Sequence, residues 1–372
     1  MLGILYIVGV VQAFFIEFIL LNKKKKILSD KILAVWMFLV GLHLFLHYLV
    51  HIDYHTKVPH ILAVAAPLPF FYGPLMLYYV QSLIEKERQF KKIGLLHLLT
   101  PVSYYILLGA IFIPGSPEQL QFIYQPQQSS APMFIEVYSQ LIDLSGVIYI
   151  IWSLILLRRH RINIRSQFSY TDEINLQWLR NIIIGMGLIW TTVLISNFFG
   201  QTEGSDLVFG AVVIFVFLIG YKGIRQGLIF TDEFMEQLVP SNNEKYKSSG
   251  LTSEMAEQYL QELYQFMESE KPYLESRLTL PQLANRMNLN HNYLSQVINE
   301  KTDQKFQDFI NSYRIKEFKE RLRQKDSNQF TLLGNALACG FNSKSSFNAV
   351  FKKMEGMTPS EYLKEIDYKE RG

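Results

Sequence analysis

Three histidines recur at intervals of four residues, so a helix through them would carry His43, His47 and His51 on one face. Imidazole groups exchange protons near neutral pH and ligate Zn²⁺ or similar ions, especially beside a carboxylate. Four more polar residues lie within otherwise apolar stretches and complete a candidate sensor pocket: Gln12, Glu136, Gln140 and Asp143. Either a proton- or ion-responsive site or a set of hydrogen bonds that fixes neighbouring helices would account for them. We predict no resident metal and no cofactor; His43, His47 and Asp143 are the residues suited to a metal if one bound.

Other reactive arrangements are missing from the sequence. It contains no HExxH, GxSxG or GxxxxGK[ST] segment, which metalloproteases, serine hydrolases and nucleotide-driven proteins use. A retinal Schiff base needs a lysine deep in a helical bundle, whereas Lys222 stands close to the end of its apolar stretch. We therefore predict that the chain is not an enzyme.

Amides, hydroxyls and amines near the C-terminus offer a second kind of chemistry. Two segments, 291–300 and 344–353, have apolar residues at helical spacing, which leaves polar residues on the opposite face. In the first segment the outward residues are Asn292, Ser295, Gln296 and Asn299. In the second segment they are Lys344, Ser345, Asn348, Lys352 and Lys353. Amides on a helix suit the edges of DNA bases and amines suit phosphates, so both faces are predicted to bind DNA.

The elements that carry these residues differ strongly between the two parts of the chain. Of 372 residues 49% are hydrophobic and 19% charged, and Cys339 is the only cysteine, which excludes a disulfide-stapled secreted protein. Residues 1–230 contain apolar stretches of about 20 residues, the length that crosses about 30 Å of hydrocarbon. Seven stretches are predicted spans: 2–21, 32–52, 61–84, 93–113, 133–157, 178–199 and 208–224. Prolines 67, 69 and 74 predict a kink in the third.

Basic residues alternate between the loops in a way that predicts the orientation of these spans. One set of loops holds 13 lysines and arginines, in 23–31, 86–92 and 158–165, whereas the other set holds only Lys57. Because positive loops stay inside, the N-terminus is predicted outside and the C-terminal part in the cytoplasm. This arrangement requires an odd number of spans, as seven is.

The C-terminal part contains signals for short helices separated by tight turns. Residues 231–250 include Pro240 and several Asn, Ser and Gly residues and predict a cytoplasmic linker. Thr279 and Gln282 form a capping-box pattern before the first segment, and a long helix is predicted over 304–324. Thr331 starts a second unit of the same kind, and Thr358 caps a last helix. The expected fold is all-α, with a tandem helix-turn-helix domain over 251–372 following a seven-helix transmembrane bundle over 1–230.

Three stretches, RLTLPQLANRMNLNHNYLSQVINE, FINSYRIKEFKERL and GFNSKSSFNAVFKKMEGMTPSEYL, resemble the tandem helix-turn-helix domain of AraC/XylS-type transcription regulators. The joined bundle, and FFYGPLMLYYVQSL within it, resemble a membrane-bound branch of that family in Bacteroidetes-type bacteria. The resemblance implies that two recognition helices enter successive major grooves. It implies base contacts by Asn292, Ser295 and Gln296, and by Lys344, Ser345 and Asn348. Asn335 and Ala349 depart from the aliphatic residue and the arginine that the family commonly has.

Charge in the C-terminal part is balanced overall and uneven locally. After Gly250 there are 17 basic and 17 acidic residues, so the net charge of +3 belongs to the preceding part. Between Lys301 and Lys353 there are 11 basic and five acidic residues, a local excess that suits phosphate contacts.

The combined interpretation is a one-component transcription regulator in a bacterial inner membrane, multi-pass, with its DNA-binding domain in the cytoplasm. Expected partners are double-stranded DNA and the lipid bilayer. A small-molecule or ion effector, a second copy in a homodimer and, for an activator, RNA polymerase remain open. The alternative is a transporter or polytopic receptor with a secondary DNA-binding domain, and a further alternative is a bundle that is only an anchor.

Overall fold

The computed structural model describes residues 2–24, 26–58, 60–84, 97, 99–112, 133–170, 176–199, 204–226, 250–323 and 331–371. Within these ranges the regular structure is helical, and extended backbone pairs only in an isolated antiparallel bridge between Phe168 and Thr279. The predicted all-α class is therefore confirmed for this part of the chain. Its residues divide into two compact units, one of 2–158 and 176–226 and the other of 159–170 and 250–371.

The first unit is built from long apolar helices. Their bounds are α1 (Leu2–Leu21), α2 (Leu28–His51), α3 (His60–Ala65), α4 (Pro69–Ile84), α5 (Leu99–Phe112), α6 (Met133–Gln167), α7 (Gln177–Phe199) and α8 (Gly204–Gln226). The last turns of α6 belong to the second unit. The predicted kink in the third apolar stretch is a break over residues 66–68, where Pro67 and Pro69 lack the backbone N–H that a continuous helix needs.

Five helices among the described residues are long and apolar enough to cross a membrane. They are Leu2–Leu21, Leu28–His51, His60–Ile84, Val137–Gln167 and Gln177–Ser196. Two shorter apolar helices, Leu99–Gly109 and Asp206–Tyr221, occupy the positions of the fourth and seventh predicted spans. The fourth is short because most of the predicted stretch before Leu99 lies outside the described residues.

Large apolar side chains cover the outside of these helices as well as the inside. Ile4, Phe18, Leu188 and Ile214 are each more than 60% exposed, whereas Tyr6, Ile16, Trp36 and Leu44 are fully buried. A helix that is apolar on all sides is typical of a span surrounded by lipid.

Small residues allow α1 and α8 to approach closely. A Cβ atom at Gly9 would lie 2.6 Å from Val213 Cγ2, and one at Gly220 would lie 2.7 Å from Ile16 Cδ1. Neither position has room for a larger residue unless the neighbouring side chain moves. Close backbone contact of this kind is common between helices that pack within a membrane.

Among its described residues, the second unit contains seven shorter α-helices in addition to the end of α6. They are α9 (Ser253–Ser269), α10 (Leu280–Arg286), α11 (His291–Thr302), α12 (Phe306–Arg323), α13 (Leu332–Ala338), α14 (Lys344–Glu355) and α15 (Pro359–Arg371). Of the predicted linker 231–250, all but Gly250 lies outside the described residues.

Two separate hydrophobic cores hold the second unit together. The first surrounds Leu283, Leu294 and Ile298, and the second surrounds Phe341, Phe347 and Phe351. Helix α12 belongs to both, because Phe306, Phe309 and Ile310 pack in the first core while Ile315 and Phe318 pack in the second. The unit is thus two small helical bodies joined by one continuous helix.

Local hydrogen bonds fix the start of each short helix. Thr279 Oγ1 accepts from the N–H of Gln282 while the Gln282 side chain accepts from the N–H of Thr279, which confirms the predicted capping box. Thr331 caps α13 and Ser343 caps α14 by accepting from backbone N–H groups three residues on. These caps set where each helix begins and therefore which residues face outward.

Candidate nucleic-acid interface

The first candidate reading unit is the pair α10 and α11, joined by a turn of four residues. Asn288 in this turn has a left-handed backbone (φ 53°), and Asn290 accepts a hydrogen bond from the N–H of Asn292 to start α11. Leu294, Val297 and Ile298 of α11 are fully buried. The turn and the buried stripe give the geometry of a helix-turn-helix, with α11 in the place of the recognition helix.

Three of the four polar residues predicted to face outward on α11 do so. Asn292 is exposed, and Ser295 and Asn299 are half-buried. Asn299 donates to Ser295 Oγ at 3.3 Å and accepts from Lys305 Nζ at 3.2 Å. This part of the face is therefore a connected set of hydrogen-bonding groups.

Gln296 differs from its predicted orientation. Helical spacing puts it on the outward face, yet it is only 9% exposed and its amide donates to both carboxylate oxygens of Glu300, at 3.1 and 3.2 Å. A bond between residues four apart draws the side chain along the helix instead of leaving it extended. Gln296 would have to break this bond before it could contact a base.

The second candidate reading unit is the pair α13 and α14. The turn between them contains a glycine that cannot be replaced easily. Gly340 has φ 91°, and a Cβ atom there would lie 2.4 Å from the carbonyl oxygen of Tyr273. Phe347 and Phe351 of α14 are buried. The residues of α14 predicted to face outward are all exposed, and Ala349 is exposed beside them: Lys344, Ser345, Asn348, Lys352 and Lys353.

Many of the basic residues counted in the sequence are already engaged within the second unit. Four form ion pairs: Lys301 with Glu257, Lys319 with Glu355, Arg321 with Glu317, and Lys353 with Asp308. Arg314 is only 1% exposed and cannot touch a phosphate; burial lowers its pKa to about 10, so it stays protonated at neutral pH. The surface available to phosphates is therefore smaller than the count of 11 predicts.

A polar cluster within the first unit involves the predicted histidines but not the predicted carboxylates. His47 Nε2 lies 3.7 Å from Asp206 Oδ1, and Tyr6 donates to the same oxygen at 2.6 Å. His43 Nδ1 and Tyr72 Oη are 2.7 Å apart. The cluster thus joins α1, α2, α4 and α8.

Aromatic contacts complete the cluster. The ring of Phe209 stacks on His47 with 3.5 Å between centroids, and Tyr6 makes edge contacts with His47 and His51 at 5.0 and 5.4 Å. Neither ring nitrogen of His47 makes a hydrogen bond to a described residue, although the side chain is only 6% exposed. A buried imidazole 3.7 Å from a carboxylate would gain an ion pair if it took up a proton.

The other residues of the predicted pocket lie elsewhere. Gln12 is half-buried beside Gly220, Asp143 is half-buried on α6, and Gln140 is exposed. Glu136 belongs to α6, and its side chain lies outside the described residues. His43 takes Tyr72 of α4 as its hydrogen-bond partner. Among the described residues no group of three or more His, Cys, Asp or Glu side chains is placed to hold a metal ion.

Tyr6, Tyr72 and Asp206 were missed at the level of sequence. Asp206 stands two residues before the predicted seventh span and was therefore assigned to a loop. The structure includes it in the first turn of α8, where it faces α1 and α2. Its position next to an apolar stretch was the available signal.

Comparison with protein families supports the assignment of the two reading units. Residues 283–365 match the family described as a helix-turn-helix domain, which is of the AraC type. This part of the chain is a helix-turn-helix domain. AraC-type transcription regulators are not enzymes, in agreement with the absence of catalytic motifs.

A curated relative matches part of the chain. It is an uncharacterized HTH-type transcriptional regulator, YtdP, of Bacillus subtilis (strain 168), with 33% identity over 88 residues. The match covers 24% of this chain and 11% of that protein, so the chain spans only a small part of its relative's length. No solved structure matches the chain.

Proposed function

We propose that the chain is a membrane-embedded, one-component transcription regulator that binds specific sites in double-stranded DNA. The observation that carries the proposal is the pair of helix-turn-helix units in the second unit, each with polar residues exposed on its recognition helix. We assign base contacts to Asn292, Ser295 and Asn299 on α11 and to Lys344, Ser345 and Asn348 on α14. Lys352 and Lys353 contribute phosphate contacts, and Gln296 contributes after release from Glu300.

The experiment uses the full-length chain in lipid nanodiscs and a library of random duplexes. Selected duplexes and scrambled copies are then compared in binding titrations at several salt concentrations. Asn292→Ala and Asn348→Ala should each weaken binding to the selected duplex by about 1–3 kcal/mol and hardly affect the scrambled one. Gln258→Ala, which removes an exposed amide on α9, is the matched control. Failure to select any duplex, or equal losses on both duplexes, would refute the proposal.

The membrane part of the proposal is a bundle of seven spans with the N-terminus outside and residues 251–372 in the cytoplasm of a bacterial inner membrane. It is supported by the apolar exterior of α1–α8 and by the unequal distribution of basic residues between alternate loops. Lys26→Cys and Lys57→Cys variants test it with an impermeant thiol reagent on whole cells. Reaction is expected at position 57 and not at 26. Cys339 gives no background, because it is buried and burial raises its pKa to about 12.

The bundle also acts as a sensor in this proposal, and the cluster around Tyr6, His47 and Asp206 is its candidate site. The cluster buries polar groups from four helices together. Binding of a proton, an ion or a small polar ligand there would therefore change the positions of these helices relative to one another. The test is a reporter gene under a selected site. His47→Gln and Asp206→Asn should alter its response to external conditions, while Gln140→Ala, on the exposed side of α6, should not. Unchanged output in both cluster variants would favour a passive anchor.

A further inference from the structure

The end of α6 continues into a short extended segment that is buried in the second unit. Helix α6 ends at Gln167, and the next three residues, Phe168, Ser169 and Tyr170, are 1%, 2% and 6% exposed. Phe168 pairs with Thr279 in the antiparallel bridge, and the N–H of Ser169 donates to the carbonyl of Leu278 at 3.1 Å. The segment 168–170 is thus a one-bridge strand added to the edge of the helix-turn-helix domain.

Arg314, in the middle of α12, holds the same segment from the other side. Its Nη1 donates to the carbonyl of Ser169 at 3.2 Å and its Nη2 to Ser169 Oγ at 3.0 Å. Nε donates to the carbonyl of Tyr273 and Nη2 also to that of Glu275, both at 2.7 Å. The buried guanidinium therefore finds half of its hydrogen bonds within 250–371 and half on Ser169.

Both anchors lie on helices that position the recognition helices. Thr279, opposite Phe168, is the N-cap of α10, the first helix of the first helix-turn-helix. Arg314 belongs to α12, which packs in both cores of the second unit. Two residues from another part of the chain, Phe168 and Ser169, therefore touch the start of the first reading unit and the helix that joins it to the second.

We propose that segment 168–170 is a docking strand and that Leu278, Thr279 and Arg314 form its binding site, through which the end of α6 holds the first helix-turn-helix in its DNA-binding arrangement. This inference rests on the proposed DNA-binding function. It gives the regulator a second route from bundle to DNA besides the covalent linker. Helix α6 runs from Met133 to Gln167, and the docking strand follows it directly in the chain.

The hydrogen bonds explain why the undocked state would be disfavoured. Without the strand, a buried charged group loses two of its acceptors, and hydrogen bonds to charged groups are costly to leave unmade. The strand in turn loses the partner of its own N–H. Docked and undocked states should therefore be distinct, as a two-state element requires.

Cross-linking tests the contact without any DNA. In the full-length chain in native membranes, Phe168→Cys with Thr279→Cys places two thiols on facing residues of an antiparallel bridge, within reach of a disulfide. Oxidation should give an intramolecular cross-link that reductant reverses. Arg165→Cys with Thr279→Cys is the control, since Arg165 is exposed one helical turn earlier, and should not cross-link. Absence of the Phe168–Thr279 cross-link would overturn the proposal.

DNA binding tests the consequence. Ser169→Pro removes the N–H donated to Leu278 and should weaken binding to a selected duplex about tenfold. Ser169→Ala removes only the hydroxyl and should weaken it about threefold, which keeps the test valid if the proline variant folds poorly. Ser166→Ala is the matched control, because that hydroxyl bonds within α6 to the carbonyl of Asn163, and should leave affinity unchanged.

Wild-type affinity in both Ser169 variants would overturn the proposal even if the cross-link forms. If the wild-type chain bound no duplex at all, the proposed DNA-binding function would fail, and the cross-link would still decide whether the strand docks.

Discussion

The two candidate recognition helices, α11 and α14, have the same length but carry different chemical groups on their outward faces. The outward face of α11 carries amides and a hydroxyl that bond to one another, and Gln296 is tied to the acidic Glu300. The outward face of α14 carries three exposed lysines and an exposed Asn348. On the proposed function, we therefore expect the first reading unit to contribute mainly hydrogen bonds to bases, and the second reading unit to contribute more of the electrostatic attraction to phosphates.

The largest expected effect tests whether the two hydrophobic cores of the second unit unfold independently. Phe347→Ala removes a buried ring that packs between Phe318 and Phe351, which should cost about 3–5 kcal/mol. Hydrogen exchange should accelerate in α13 and α14 and much less in α10 and α11. Leu337→Ala, at an exposed site 47% open to solvent, is the control and should change little. Equal acceleration in both halves would mean that they unfold as one body.

A smaller effect should separate two adjacent lysines on α14. Lys352 is exposed, whereas Lys353 is already paired with Asp308 at 2.6 Å. Lys352→Ala should lower the slope of log K against log salt by about 1, as expected for the loss of one phosphate contact. Lys353→Ala should lower it less. Identical slopes for the two variants would show that the ion pair with Asp308 opens on DNA.

The bond between Gln296 and Glu300 leads to a prediction about α11. Glu300→Gln removes a negative charge from the surface of α11, one residue from Asn299 in the chain, and loosens Gln296. Binding to the selected duplex should strengthen by about 0.5–1 kcal/mol, the scale of one exposed electrostatic contact. Gln296→Ala should weaken the selected duplex more than a scrambled one. No gain from Glu300→Gln would indicate that Gln296 stays folded along the helix when DNA is bound.

The smallest effect should appear only in acid. Burial raises the pKa of Glu317, but hydrogen bonds from Lys271 and Arg321 outweigh it, so the net pKa is lowered. A carboxyl group with a lowered folded-state pKa adds stability above its unfolded pKa and loses it as the pH falls through the folded value. The stability difference between wild type and Glu317→Gln should therefore be constant near neutral pH and shrink in acid, below the ordinary value of 4.5. A difference that grows as the pH falls would contradict this sign.

Local features of the second unit could be predicted from sequence because they depend on neighbours in the chain. The capping box of Thr279 and Gln282 and the inward phenylalanines of α14 follow from spacing alone. The orientation of Gln296 could not be predicted in this way, since its hydrogen bonds to Glu300 draw the side chain along the helix. The number of lysines available to phosphates could not be predicted from spacing either, because partners such as Asp308 are distant in sequence.

Long-range pairings in the first unit were also beyond prediction. His43 and Asp143 have similar depth in their predicted spans, yet depth does not determine which faces of two helices meet. The partners of the histidines, Tyr72 and Asp206, come from α4 and α8. Tyrosine in an apolar stretch is common, and an aspartate at its edge resembles a loop residue, so neither residue type marks a buried site in the sequence.

Helix α12 has a consequence for the target sites of the protein. Eighteen residues rising about 1.5 Å each make a rod of about 27 Å that packs in both hydrophobic cores. That is somewhat less than one turn of the double helix, which measures about 34 Å. If both reading units bind DNA as we propose, an operator should present its two half-elements on one side of the duplex, and inserting five base pairs between them should turn one element away from its reader.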